Sequence, residues 1–524
     1  MAIRMYEDDP GGSKNAKRSY QGGGSSGGGF GGGGGGGNII SLLLNFLPML
    51  LKKPKLLIIV LVVGGLLYFG SRGCSSSASA NSPLSSMFAT GGEMNKELYE
   101  ETEIFEALVD NRKNPLPERV SLEKYCPTPL NQGVQGSCVA WASAYAARTI
   151  IEAQRTGKNP NSIKFSPAFM YNQIKLGNDC QGSYIKYAMD NMMQVGAVPF
   201  NDFAYTDQSC TKQPSNDLKN QASTFKIKGF QRLTDENKGK MHEILAMKQN
   251  LAKGSPIIIG MMVGGSFMEN MLGKEFWNPT SADYNQRGFG GHAMCVVGYD
   301  DYYQGGSFLL MNSWGTEWGK NGFAYIRYSD FKHFNHEAYG LYPMGNVDIK
   351  ETNTFEGSFA LELNGGSKSM PLRQVSNSFF ETTSKITTKD RFKVEVTNNQ
   401  ECYIYIFGEE EKGDVYTLFP YTKKHSPYCG ITGTRVFPSD YSMGTDTADG
   451  QDKIAVLITR KPVNYEEEQK KLANASGNGL SERMDNVYGK YRSEKQSITG
   501  STTIQFKTEV KETEVLYFII GINK

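Results

Sequence analysis

Only five histidines occur in the 524-residue sequence: His242, His292, His333, His336 and His425. They mark where proton transfer near neutral pH can be centred. Eight cysteines supply the candidate sulfur nucleophiles. One Cys and one His stand in contexts suited to work together. Cys138 follows a turn marked by Gly133 and Gly136 and opens an Ala-rich stretch that stops at Gly157. That composition predicts a helix with Cys138 in its first turn, where backbone N–H groups and the helix dipole favour the thiolate, the attacking form of the side chain. His292 opens the run GGHAMCVVGYD (290–300), and SFLLMNSWG (307–315) follows after a polar loop. Treated as an antiparallel hairpin centred near 302, the two runs set position 292 opposite 312, which is Asn. An amide beside an imidazole can hold the ring, so Cys138, His292 and Asn312 read as nucleophile, base and orienting group. The blander roles are a buried thiol, a core histidine and a turn-capping amide.

The motifs around these residues resemble those of papain-family cysteine peptidases, more the bacterial branch than the plant or lysosomal one. They are Gln132-Gly133 with Ser137-Cys138, Gly291-His292-Ala293, and Asn312-Ser313-Trp314-Gly315 with Trp318-Gly319 and Asn321-Gly322. The likeness covers roughly 116–345. It implies an α+β, two-lobed fold, one lobe helical and one a β-barrel, with the cleft between. It further implies acyl transfer by Cys138, with Gln132 and a backbone N–H binding the oxyanion and Trp314 shielding the His292–Asn312 bond. A thiol so paired is expected to titrate far below its ordinary range. Gly182 and Ser183 would meet the substrate backbone, and Tyr184, Ile185 and Ala293 would line an apolar pocket for the second residue before the scissile bond. Two positions depart from the pattern: Gln135 stands where a Cys is usual and Val139 where a Trp is usual. Cys180 and Cys210 have thereby lost their usual partners. In an oxidising exterior they are left to pair with each other or to remain thiols. A catalytically silent binding protein on the same scaffold, or a transpeptidase using the same triad, are the alternatives to a peptidase.

Outside the catalytic motifs, Ser166, Pro167 and Gly177 predict a capped helix over 166–177, and 241–256 a second helix feeding the apolar strand PIIIGMMV. A helix is also expected over 94–110. Beyond a loosened stretch at 346–370, apolar alternation predicts strands at 391–397, 402–408, 415–420, 453–459, 502–508 and 515–522, with a charged helical insertion near 464–474. This β-rich region, 371–524, weakly resembles a bacterial domain of unknown function through CYIYIFGEEEKGDVYTLFP (402–420); binding an unknown partner or scaffolding is its expected role. Cys402 and Cys429 are either a disulfide or two buried thiols. His333 and His336 have no acidic or Cys partner in their pattern, so neither metal nor cofactor is expected.

Lys+Arg total 56 and Asp+Glu 54, a net +2, which excludes a strongly basic nucleic-acid binder. The charge is uneven: residues 1–73 hold eight basic and three acidic side chains, +5, leaving −3 for the rest. Fifteen of the 59 glycines fall in the first 37 residues, a tract expected to be disordered and cytoplasmic. A membrane region is expected at 38–71, with the spanning helix at about 55–71 (LLIIVLVVGGLLYFG) and Lys52, Lys53 and Lys55 on its inner side. A tether at 72–92 then leads to a peptidase domain at 93–345, outside the cytoplasm.

Overall fold

The computed structural model describes residues 3–7, 88–109, 113–235, 240–342, 354–365, 368–410, 413–446, 449–492, 496–509, 511 and 514–524. The expected Gly-rich tract and spanning helix lie outside these residues. Among the described residues no helix is long and apolar enough to cross a membrane.

In the first lobe the chain from Cys138 is helical to Thr156, with a π-helical middle at Trp141–Arg148, and Gly157 closes it in the left-handed conformation at φ +66. Almost every side chain along it is buried, so Ala at 140, 142, 144, 146 and 147 lets neighbours approach closely. Pro167–Ile174 begins at Ser166, whose Oγ accepts from the Phe169 N–H at 3.0 Å. Ile185–Gln194 completes the layer. A disulfide joins Cys180 to Cys210.

The second lobe is an eight-stranded sheet. Ile257–Val263 pairs with Gly290–Asp300, which pairs in turn with Ser307–Met311, and Phe323–Arg327 lies beyond. The hairpin forms as expected, but its register differs. Cys295 faces Met311 and, after a bulge, Asp300 faces Ser307. The loop Tyr303–Gly305 and that bulge move the centre, so 292 and 312 are not opposite each other. His292 instead lies opposite Met261.

The helix expected over 94–110 is short, Lys96–Glu100, capped by Asn95. The chain then runs extended, because both sides offer it backbone partners. Phe105 N–H donates to the Arg232 carbonyl at 3.0 Å, Ile104 N–H to Lys424 at 2.6 Å and Val109 N–H to Thr434 at 2.9 Å. Gln249 bonds both the N–H and the C=O of Leu108. Arg435, fully buried, donates to the carbonyls of Glu106 and Ile431 and to Asn398 Oδ1. Residues 103–109 therefore join the peptidase sheet to the β-rich region.

That region holds two sheets packed face to face. Phe359 and Phe506 of one meet Phe518 of the other at ring distances of 4.6 and 4.8 Å. Thr503–Glu509 alternates strictly, with Ile504, Phe506 and Thr508 inward, because only one of its faces is covered. Leu516–Ile522 of Val515–Asn523 is buried throughout, because helices Tyr465–Asn474 and Leu480–Tyr488 cover the outer face through Leu472, Leu480 and Met484. The stretch 346–370, expected to be a linker, contains the sheet strand Thr354–Leu363. Ile3–Glu7 pairs antiparallel with Tyr441–Thr445.

Candidate active site

Cys138, His292, Asn312 and Gln132 are all buried where the helix start meets the sheet; His292 bonds Asn312 and Gln132 bonds Ser313, while no hydrogen bond joins the Cys138 sulfur to the imidazole. The Cys138 sulfur accepts from the Ala293 N–H at 3.4 Å, which sets it against the backbone beside His292. His292 Nε2 is 2.7 Å from Asn312 Oδ1. Asn312 Oδ1 also accepts the Ser313 N–H at 2.7 Å, which fixes the amide with its oxygen toward the ring. Nε2 then carries the proton, and Nδ1, which has no hydrogen-bond partner among the described residues, keeps its lone pair. Trp314 stacks on the imidazole at 4.4 Å. So the orienting contact forms although the strand register places the two residues off each other. After Met311 the chain leaves the ladder, with Asn312 N–H donating to Gly322, and the side chain reaches across diagonally.

Gln132 is held at three points. Its N–H donates to the Ser313 carbonyl at 2.8 Å, its Oε1 accepts from Ser313 Oγ at 2.7 Å, and its Nε2 donates to the Gln135 carbonyl at 2.9 Å. Ser313 was not singled out by the sequence reading; its place beside Asn312 was the available signal.

Residues 88–94, of which 88–92 were expected to belong to the tether, run through the cleft instead. Phe88 stacks on Trp314 at 4.9 Å, and Trp314 Nε1 donates to the Ala89 carbonyl at 2.8 Å. Gln132 Nε2 reaches the Thr90 carbonyl at 3.5 Å. Gly91 N–H donates to the Gly291 carbonyl at 3.2 Å, and its own carbonyl accepts from Ser183 N–H at 3.0 Å. Gly92–Glu93 pairs in parallel with Ser183–Tyr184. Only glycine fits here. Gly91 has φ +133, and a Cβ on it would stand 2.4 Å from the Gly136 carbonyl oxygen; one on Gly291 would stand 1.9 Å from that of Gly92. The dipeptide Gly91-Gly92 was the one hint of this in the sequence. Of the expected substrate residues, Ser183 and Tyr184 thus pair with the chain's own backbone, Gly182 packs on Glu93, Ile185 is fully buried, and Ala293 contacts the sulfur.

This cover governs the electrostatics. Burial pushes the Cys138 thiol up to about 12, against hydrogen bonds from Ala293 and Val139 that lower it. Burial also holds His292 down at about 4, against the Asn312 bond that raises it. The expected low thiol pKa is therefore reversed in this state: the pair is a neutral thiol and a neutral imidazole, because desolvation outweighs the helix dipole.

Residues 116–344 match the papain family of cysteine proteases, and residues 386–462 match a domain of unknown function, DUF4384. The enzyme class is cysteine-type peptidase. The chain is 28% identical over 231 residues to the peptidase C1-like protein L477 of Acanthamoeba polyphaga mimivirus, covering 43% of this chain and 70% of that protein. It is 26% identical to mouse (Mus musculus) cathepsin K over 217 residues, 40% of this chain and 60% of that one. Xylellain, a cysteine protease from Xylella fastidiosa, is a solved structure with a TM-score of 0.40 and 22% identity, over 49% of this chain and 96% of that chain.

The depressed His292 value makes stability depend on pH. Below about 6.5 the unfolded chain takes up a proton that the folded one refuses until about 4. His292 stability is therefore fully present above 6.5 and is lost as pH falls toward 4, about 3 kcal/mol in all. Burial raises the Glu337 carboxyl to about 7, which acts in the opposite direction over the same window, so the check is a difference. The Tm of full chains carrying Cys138→Ala should lose more on going from pH 6.5 to 4 than that of chains also carrying His292→Gln, and equal slopes contradict the assignment.

Proposed function

We propose that this chain is a membrane-attached cysteine endopeptidase whose cleft is closed by its own residues 88–94. The observation that carries the reading is the sulfur of Cys138 seated against Ala293 beside an imidazole whose Nδ1 has no partner among the described residues. Once residues 88–94 withdraw, Cys138 passes its proton to His292 Nδ1 and the thiolate attacks the peptide carbonyl. Gln132 Nε2 and the Cys138 N–H bind the oxyanion. His292 protonates the amine as the C–N bond breaks, leaving a thioester. Water, deprotonated by His292, then attacks that thioester, and the released thiolate recovers the proton. Asn312 holds the ring throughout. Gly182 and Ser183 meet the substrate backbone, and Tyr184, Ile185 and Ala293 line the apolar pocket. The β-rich region acts as a scaffold for segment 103–109.

Attachment to the membrane is proposed through 38–71. The pairing of Ile3–Glu7 with Tyr441–Thr445 favours an N-terminus on the peptidase's side of the membrane over one in the cytoplasm. The peptidase and residues 3–7 then share the outer side. A Cys introduced at Ser13 should react with a membrane-impermeant maleimide on intact cells; reaction only after permeabilisation would restore a cytoplasmic N-terminus.

Cys138→Ala should lower kcat on a peptide substrate by on the order of a million-fold and abolish labelling by an epoxide thiol inhibitor; retained cleavage ends this reading. Gly91→Val should act in the other direction. The added methyls meet the Gly136 backbone and a φ that valine rarely adopts, so the cover is ejected rather than the cleft deformed. Such overpacking costs about 1–3 kcal/mol, so the labelling rate of Cys138 should rise roughly five- to a hundred-fold.

A further inference from the structure

Segment 131–137 carries Gln132 and ends at the N–H of Cys138, so it holds both proposed oxyanion donors. In the resemblance drawn from sequence, a Cys at 135 would tie this segment covalently to the wall of the cleft; here 135 is Gln. The segment is held instead by hydrogen bonds from 205–207. Tyr205 Oη donates to the Gln132 carbonyl oxygen at 2.7 Å and accepts from Ser137 Oγ at 2.7 Å. Gln135 Nε2 donates to the Thr206 carbonyl at 3.3 Å, and Asp207 Oδ2 accepts the Val134 N–H at 3.3 Å. From the opposite side the Cys180 carbonyl accepts the Gly136 N–H at 3.0 Å. The Tyr205 ring is set by Trp141 of the helix that Cys138 starts, edge to face at 4.8 Å. Cys180 and Cys210, which end the two holding segments, are joined by the disulfide, with Cα atoms 5.9 Å apart.

We propose that Tyr205 is a positioning residue for the oxyanion donors, and that the Cys180–Cys210 bridge fixes the two segments between which they are held. One hydroxyl bonds the residue that bears the side-chain donor and the residue that precedes the backbone donor, so it sets the spacing of the two. Donors of this kind act only when held within about half an ångström of the productive geometry. The bridge has moved off the nucleophile's own segment and acts one step back. The inference rests on the reading that Cys138 and Gln132 act as described above.

The full-length Gly91→Val chain, in which the cover is ejected, and the same chain carrying Tyr205→Phe as well are compared in two assays. Peptide hydrolysis needs the oxyanion donors. Alkylation of Cys138 by iodoacetamide, quantified by peptide mass mapping, needs the thiolate but no oxyanion. Tyr205→Phe keeps the ring and loses only the hydroxyl. It should lower kcat about ten- to a hundred-fold with KM unchanged, while the alkylation rate stays within about twofold. Mild reduction of the Cys180–Cys210 bridge, verified by mass, should give the same division between the two assays. Unchanged kcat in Tyr205→Phe overturns the proposal, as does a fall in alkylation parallel to that in kcat, which would mark a disturbed thiol or fold. Reduction without effect on kcat removes the bridge from it. If the opened Gly91→Val chain neither cleaves nor is alkylated at Cys138, the underlying reading has failed and not this one.

Discussion

Desolvation of the sulfur–imidazole pair is the constraint on which the site depends. An ionised Cys138 beside a protonated His292 needs either water or fixed dipoles, and under residues 88–94 it has little of the first. The helix start and the Ala293 N–H supply dipoles, yet the thiol still rises to about 12 and the imidazole falls to about 4, because both are buried and the Glu93 carboxylate raises the thiol further. The closed state is thus chemically silent as well as sterically covered. It also presents no bond for cleavage. The Gly91 carbonyl is spent on Ser183 N–H, the Thr90 carbonyl reaches Gln132 Nε2 only at 3.5 Å, and the sulfur accepts from Ala293. No carbonyl of the segment is polarised by short bonds from the donors.

Much of the site was legible in the sequence because its residues sit at strong local signals. Cys138 follows a glycine turn and begins an alanine-rich helix; Ser166 and Pro167 start another; the C-terminal strands alternate or run apolar according to how many faces are covered. What failed did so where distant chain decides. The 94–110 periodicity is compatible with a helix, but carbonyls of Arg232, Lys424 and Thr434 capture its N–H groups and draw it extended. Asn312 reaches His292 from outside the ladder, so counting residues around a turn found the contact through a register the hairpin does not have. Thr354–Leu363 lacks strict alternation because it lies inside a sheet, with five of its last residues buried in succession. The direction of the Cys138 shift could not be read, since nothing local says that residues some fifty positions earlier lie over it.

Segments 88–94 and 103–109 form one connected path, and this has a consequence for how the cleft is held shut. The covering residues are fixed at their C-terminal side, where the chain is bonded both to Arg232 of the peptidase sheet and to Lys424 and Thr434 of the β-rich region, with buried Arg435 beneath. A cut anywhere before Phe88 removes none of those bonds, nor the stacking on Trp314 or the pairing with Ser183–Tyr184. The tether and the cover are therefore mechanically separate, although adjacent in sequence. The β-rich region, through strand Gly433–Phe437 and the loop at 424–426, has hold of 104–109, the continuation of the chain that covers the candidate active site. Any displacement that loosens 103–109 from that sheet acts on the cleft through roughly ten residues, three of whose links, at Asn95, Tyr99 and Thr102, are themselves hydrogen-bonded into the peptidase body or its capping helix.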